Sequence, residues 1–128
     1  AADKLVVGVT VYPPMDYLDE NNEWTGFDAE LAQMFAKSLG VNCQLVIINW
    51  NNKVADINTK NIDLIWNGMT ASEELGKQID FSVSYAKNAQ VAVVKADSSI
   101  NTKEAVIAAK VAVESGSAGE FCVAGPSF

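Results

Sequence analysis

The stretch Lys4 to Val11, KLVVGVTV, is an almost unbroken apolar run rich in β-branched residues. Successive side chains of a strand point to opposite faces, so a run without polar alternation predicts a strand covered on both sides, as in a parallel sheet. Pro13 and Pro14 end it, because neither can donate to a ladder. Cys43 to Ile48 (CQLVII) and Ile62 to Trp66 (IDLIW) have the same character and predict a second and third strand. A helix opening at Thr25-Gly26-Phe27-Asp28 and a short one over Val54 to Ile57 separate the three. The order β, αβ, αβ implies an α/β fold with a mostly parallel central sheet flanked by helices.

Between the first strand and the first helix, the cluster Asp19-Glu20-Asn21-Asn22 predicts a turn joining two short extended pieces. The helix itself carries Leu31, Met34, Phe35 and Leu39 at helical spacing, Glu30, Gln33 and Lys37 opposite, and Gly40 as its stop. The apolar set is expected to be its buried face. Asn67-Gly68-Met69-Thr70 follows the third strand at its carboxyl end, where ligands sit in open α/β sheets, and Ser72-Glu73-Glu74 opens another short helix. Further on, Gln90 to Lys95 (QVAVVK) and Lys110 to Glu114 (KVAVE) predict a fourth and fifth strand around a helix capped by Thr102. Ser115-Gly116-Ser117-Ala118-Gly119 predicts a turn of small residues that offers backbone N–H groups to an anion.

The chain has 128 residues, 49% of them hydrophobic, enough for one core. All nine cations are lysines, set against 16 carboxylates for a net charge of −7. Without a basic stripe or a guanidinium, nucleic acid and anionic membrane are not expected partners. With no His, the commonest general base and metal ligand are missing, and no metal, cofactor or catalytic group is expected. Cys43 and Cys122 have no CxxC spacing; they would pair only in an oxidising compartment, and the apolar setting of Cys43 favours a buried free thiol. No apolar stretch approaches a membrane span. The opening Ala-Ala-Asp-Lys fits a mature or trimmed export product.

In this order, KLVVGVTVYPPMDYLDENNEWTGFDAELAQMFAKSLGV, IDLIWNGMT, IDFSVSYAKNAQVAVVKADS and KVAVESGSAGE resemble the amino-acid-binding proteins of bacterial ABC importers, solute-binding protein family 3. The resemblance implies a protein of two α/β lobes closing on an amino acid or related small polar solute. Residues 1–95 would be the first lobe and 96–128 the hinge and the opening of the second. Such a protein is exported to the periplasm or cell exterior, lipid-anchored in Gram-positive organisms, and docks on importer membrane subunits. The closing FCVAGPSF does not resemble the family's continuation, so a truncated chain is expected.

By the same resemblance, Tyr12 and Trp50 form two walls of a slot for the solute side chain. Gly68 and Thr70 receive its ammonium through a carbonyl and a hydroxyl, the acceptors that an ammonium needs. Asn67 beside them serves either the solute or its own backbone. Ser117 and Ala118 present backbone N–H groups to the solute carboxylate. The departure is Leu75, which stands where the family places an Arg to grip that carboxylate with a bidentate fork. Lys77 is the nearest substitute cation. Met15, Tyr17, Asp80 and Phe81 are expected to pack.

Two other readings compete. A few dehydratases share the fold and need a carboxyl group of raised pKa in an apolar cleft, for which Glu73 and Glu74 are the nearest acids. Alternatively, the chain is an isolated lobe that self-associates without ligand function. A homodimer of the truncated chain is expected in either case, domain-swapped by exchanging Gln90 to Glu114 through the polar hinge Asp97 to Asn101.

Overall fold

The computed structural model describes residues 3–126 and 128. They group into two compact units, 1–83 and 84–128. The first runs β1 (Lys4–Val9), β2 (Tyr17–Leu18), β3 (Trp24–Thr25), α1 (Phe27–Ser38), β4 (Asn42–Ile47), α2 (Lys53–Asn58), β5 (Leu64–Ile65) and α3 (Glu73–Gly76). The second contains α4 (Lys103–Ile107) and α5 (Ala118–Ala124).

The α/β reading holds. β1 is the central strand of a parallel sheet ordered β4-β1-β5, with Val7 opposite both Leu45 and Leu64. Val7 and Val9 are fully buried, as expected for a strand covered on both faces. β5 contributes only two ladder residues, but its pairing is extended by Asp63: its N–H donates to the Val6 carbonyl at 2.9 Å and its Oδ2 accepts from the Val6 N–H at 2.8 Å. The polar cluster after β2 is the predicted turn. Asp19 Oδ1 accepts from the N–H groups of Asn21 and Glu23, and β2 pairs antiparallel with β3.

Helix α1 ends as the sequence indicates. Gly40 takes a φ of +70°, its N–H donates to Lys37, and the Val41 N–H reaches back to Ala36, which is the double bond of a Schellman motif. Its buried face differs from the expectation. Asp28, Ala29, Ala32 and Ala36 are buried, whereas Met34 is 66% and Leu39 55% exposed. Small side chains let the helix axis approach the sheet closely, and Ala32 joins Val7 and Val9 in the core. The large side chains lie on flanks that this approach leaves open; Phe35 retains a tilted ring contact with Trp66, centroids 5.7 Å apart.

A second correction concerns 90–95 and 110–114, which form no ladder among the described residues. A strand is defined by its partner, and here Val91 and Val93 stand 78% and 91% exposed. The helix between them does form: Thr102 Oγ1 caps α4 by accepting from the Ala105 N–H at 3.2 Å. Both cysteines are free thiols, Cys43 partly buried, with burial raising its pKa, and Cys122 exposed.

Candidate functional site

Because β4, β1 and β5 are parallel, their carboxyl ends share one edge of the sheet. Trp50, Tyr12 and the segment Asn67 to Thr70 each follow one of those ends, the position where open α/β sheets bind ligands.

Tyr12 is held by a tight turn over the cis peptide Pro13–Pro14: its N–H donates to the Asp16 carbonyl, and its own carbonyl accepts from Met15 and Asp16. The ring is left 53% exposed. Gly68 lies against it. A Cβ at Gly68 would sit 3.2 Å from Tyr12 Cε1 and 3.6 Å from Asp28 Oδ2, and the residue's φ is +57°. Any side chain there would fill the space beside the ring.

Asn67 is 6% exposed and committed to β1. Its Oδ1 accepts from the Thr10 N–H at 2.8 Å and its Nδ2 donates to Thr10 Oγ1 at 2.7 Å. The amide thus bridges the ends of two strands, serving Thr10 on a neighbouring strand rather than its own backbone. Gly68 and Thr70 are half-buried.

Trp50 begins a short 3₁₀ turn, Trp50–Asn52, capped by Asn49, whose Oδ1 accepts from the Asn51 N–H. The Lys53 ammonium lies 4.8 Å from the indole centroid and donates to the Trp50 carbonyl at 3.1 Å. Lys53 is only 7% exposed.

Leu75 lies in α3 behind the Ser72 cap, half-buried and without a charge to offer. Lys77 pairs with Glu74 at 3.3 Å in the open, so it is engaged as a surface ion pair. In the second unit, Ser117 caps α5 by accepting from the Glu120 N–H, and Ala118 is the first residue of that helix. Glu120 folds back so that its Oε2 accepts from the Gly116 N–H at 2.6 Å. The small-residue turn therefore does meet a carboxylate, one from its own chain.

Three charged residues of this region were not legible as such. Asp16, Asp28 and Lys53 are all buried. Among the described residues, neither carboxyl oxygen of Asp16 has a hydrogen-bond partner. Desolvation, reinforced by the Asp28 charge, pushes its pKa up to about 7. Asp28 follows Gly26 in the first turn of α1, where an acid is the ordinary partner of the helix dipole, so nothing in the sequence marks it as buried.

The model of the bacterial extracellular solute-binding proteins, family 3, matches residues 5–118. The chain is 38% identical over 92 residues to the L-cystine-binding protein TcyJ of Escherichia coli (strain K12), covering 71% of this chain and 35% of that one. It is 29% identical over 82 residues to a cyclohexadienyl dehydratase of Pseudomonas aeruginosa, covering 64% of this chain and 31% of that one. The arginine-bound form of a truncated ArgBP from T. maritima superposes with a TM-score of 0.89 at 37% identity, over 95% of this chain and 59% of that one. The chain thus spans about a third of the two curated relatives' length. With its parallel β4-β1-β5 sheet and loops gathered at one edge, the chain belongs to the bacterial extracellular solute-binding proteins, family 3.

Proposed function

We propose that the chain is the first lobe, with the opening of the second, of an exported protein that captures an amino acid or similar small polar solute for an ABC importer. The observation that carries this reading is the Tyr12 ring lying against Gly68 at the carboxyl edge of the sheet, an aromatic wall beside exposable backbone acceptors. Tyr12 and Trp50 contact the side chain of the solute, and Gly68 and Thr70 take its ammonium. Leu75 leaves the solute carboxylate without a guanidinium. Residues 1–95 are lobe one and 96–128 the hinge and start of lobe two. A break between compact units at 83 and 84 supports a division in this region.

Binding without catalysis is the reading that the acids favour. Asp16 has the raised pKa that a dehydratase needs, but its side chain is fully buried rather than open at the carboxyl edge of the sheet where a solute would sit. The protein works outside the cytoplasm against importer membrane subunits. Titrating the ¹⁵N-labelled chain with each of the twenty amino acids tests the reading. Shifts at Tyr12, Gly68 and Thr70 on adding one or a few of them support it, and no shift with any of them overturns it.

Self-association belongs to the same proposal. The segments 90–95 and 110–114 have no ladder among the described residues, and Val91 and Val93 are exposed, which favours exchange with a second copy. Sedimentation at micromolar concentration is expected to show a dimer; a monomer at every concentration removes this part.

A further inference from the structure

The Lys53 ammonium bears on which solutes the slot accepts, an inference that rests on the solute-binding reading above. Lys53 opens α2 just after the Trp50 turn, at the carboxyl edge of the sheet. It is 7% exposed, the one buried cation among the described residues, and its ammonium sits over the Trp50 ring at 4.8 Å. The bond to the Trp50 carbonyl at 3.1 Å fixes it there.

An aromatic wall attracts cations through the negative face of its quadrupole. At Trp50 that attraction is already engaged by a cation of the chain itself. A guanidinium or ammonium brought to the same ring meets a reduced quadrupole and a like charge held in a poorly hydrated place, where screening is weak. A carboxylate or carboxamide meets the reverse. At the Gly68 position, a Cβ would lie 3.6 Å from the buried Asp28 Oδ2, so negative charge stands near where the solute's own ammonium is received. The site is therefore polarised, with its negative end at Gly68 and its positive end at Trp50.

We infer that Lys53 is a specificity-determining residue that turns the Trp50 wall against cationic side chains, so that this chain selects amino acids with neutral or acidic side chains over arginine and lysine.

The test is a titration of the ¹⁵N-labelled chain with glutamate, glutamine, arginine and lysine at constant ionic strength, reading the indole N–H of Trp50. Glutamine and glutamate are expected to bind at least about tenfold tighter than arginine, the order of a like-charge contact at partial burial. Lys53→Met, which keeps the length of the stem, and Lys53→Gln are both expected to shrink that ratio at least about fivefold by admitting arginine. Tighter binding of arginine by the parent chain overturns the assignment, as does an unchanged ratio in both variants with their circular dichroism intact. Amino-acid binding with an unmoved ratio sinks Lys53 alone. Failure of all four to bind while another amino acid does also sinks it, and failure of every amino acid sinks the solute-binding reading with it.

Discussion

Asn67 holds Thr10 by both ends of its amide, accepting from the backbone N–H at 2.8 Å and donating to the hydroxyl at 2.7 Å. The two residues are 57 positions apart, so the loop that carries Gly68 and Thr70 is registered directly on the end of β1. The clamp continues the β1–β5 pairing beyond its two ladder residues, after the Trp66 N–H bond to the Gly8 carbonyl at 3.3 Å.

Asn67→Leu is accordingly expected to destabilise the fold by about 1–3 kcal/mol, because the Thr10 N–H loses its buried acceptor and the hydroxyl its donor. Denaturant unfolding followed by tryptophan fluorescence measures it. A loss smaller than the error of that measurement would mean that water replaces the clamp.

Asp16 makes stability fall as pH rises. The folded chain keeps its proton up to about 7, whereas the ordinary value is 3.8, so between these values the folded state binds the extra proton. That contribution is fully present below 3.8, is lost progressively toward 7 and is then constant. Asp16→Asn is expected to flatten the melting temperature across this window and to exceed the parent above it. Parallel pH profiles of the two proteins would contradict the assignment.

Gly26→Ala is expected to cost about 2 kcal/mol or more, whereas Gly40→Ala costs about 1 kcal/mol. The Cβ at Gly26 would fall 2.5 Å from the Met15 carbonyl oxygen, which accepts from Asp28 and Ala29 at the start of α1, and the residue's φ is +109°. At Gly40 nothing lies within 4 Å and only the positive φ opposes a side chain. Thermal unfolding of the pair decides whether the backbone clash or the dihedral dominates.

Leu75→Arg is expected to tighten amino-acid binding roughly tenfold, the worth of a charge-assisted bond to a carboxylate. Calorimetry of the two proteins against one bound amino acid measures it. Unchanged affinity would show that the solute carboxylate is held elsewhere.

Much of the lobe was readable from one dimension. KLVVGVTV, CQLVII and IDLIW announce strands because unbroken β-branched runs have no other compact use at that length. Asp19 to Asn22 and Gly40 announce turns because they satisfy backbone groups locally, within a few residues. The Asn67-Gly68 pair was placed at a strand end by the same local logic. What sequence carried here were features whose energetics are settled by near neighbours.

The rest depended on contacts between residues far apart in the chain. Periodicity showed that α1 has two faces, but the closeness of helix and sheet chose Ala29, Ala32 and Ala36 over Leu39 and Met34 for the buried one. Residues 90–95 and 110–114 have every local mark of strands, yet a ladder requires a partner that pairs with them, and none does among the described residues. Asp16, Asp28 and Lys53 read as ordinary solvated charges, because burial belongs to the packing around a residue and not to the residue. Sequence alone determined where the first unit turns and where its three parallel strands run; tertiary structure alone decided which candidate strands find a partner and which charges lose their water.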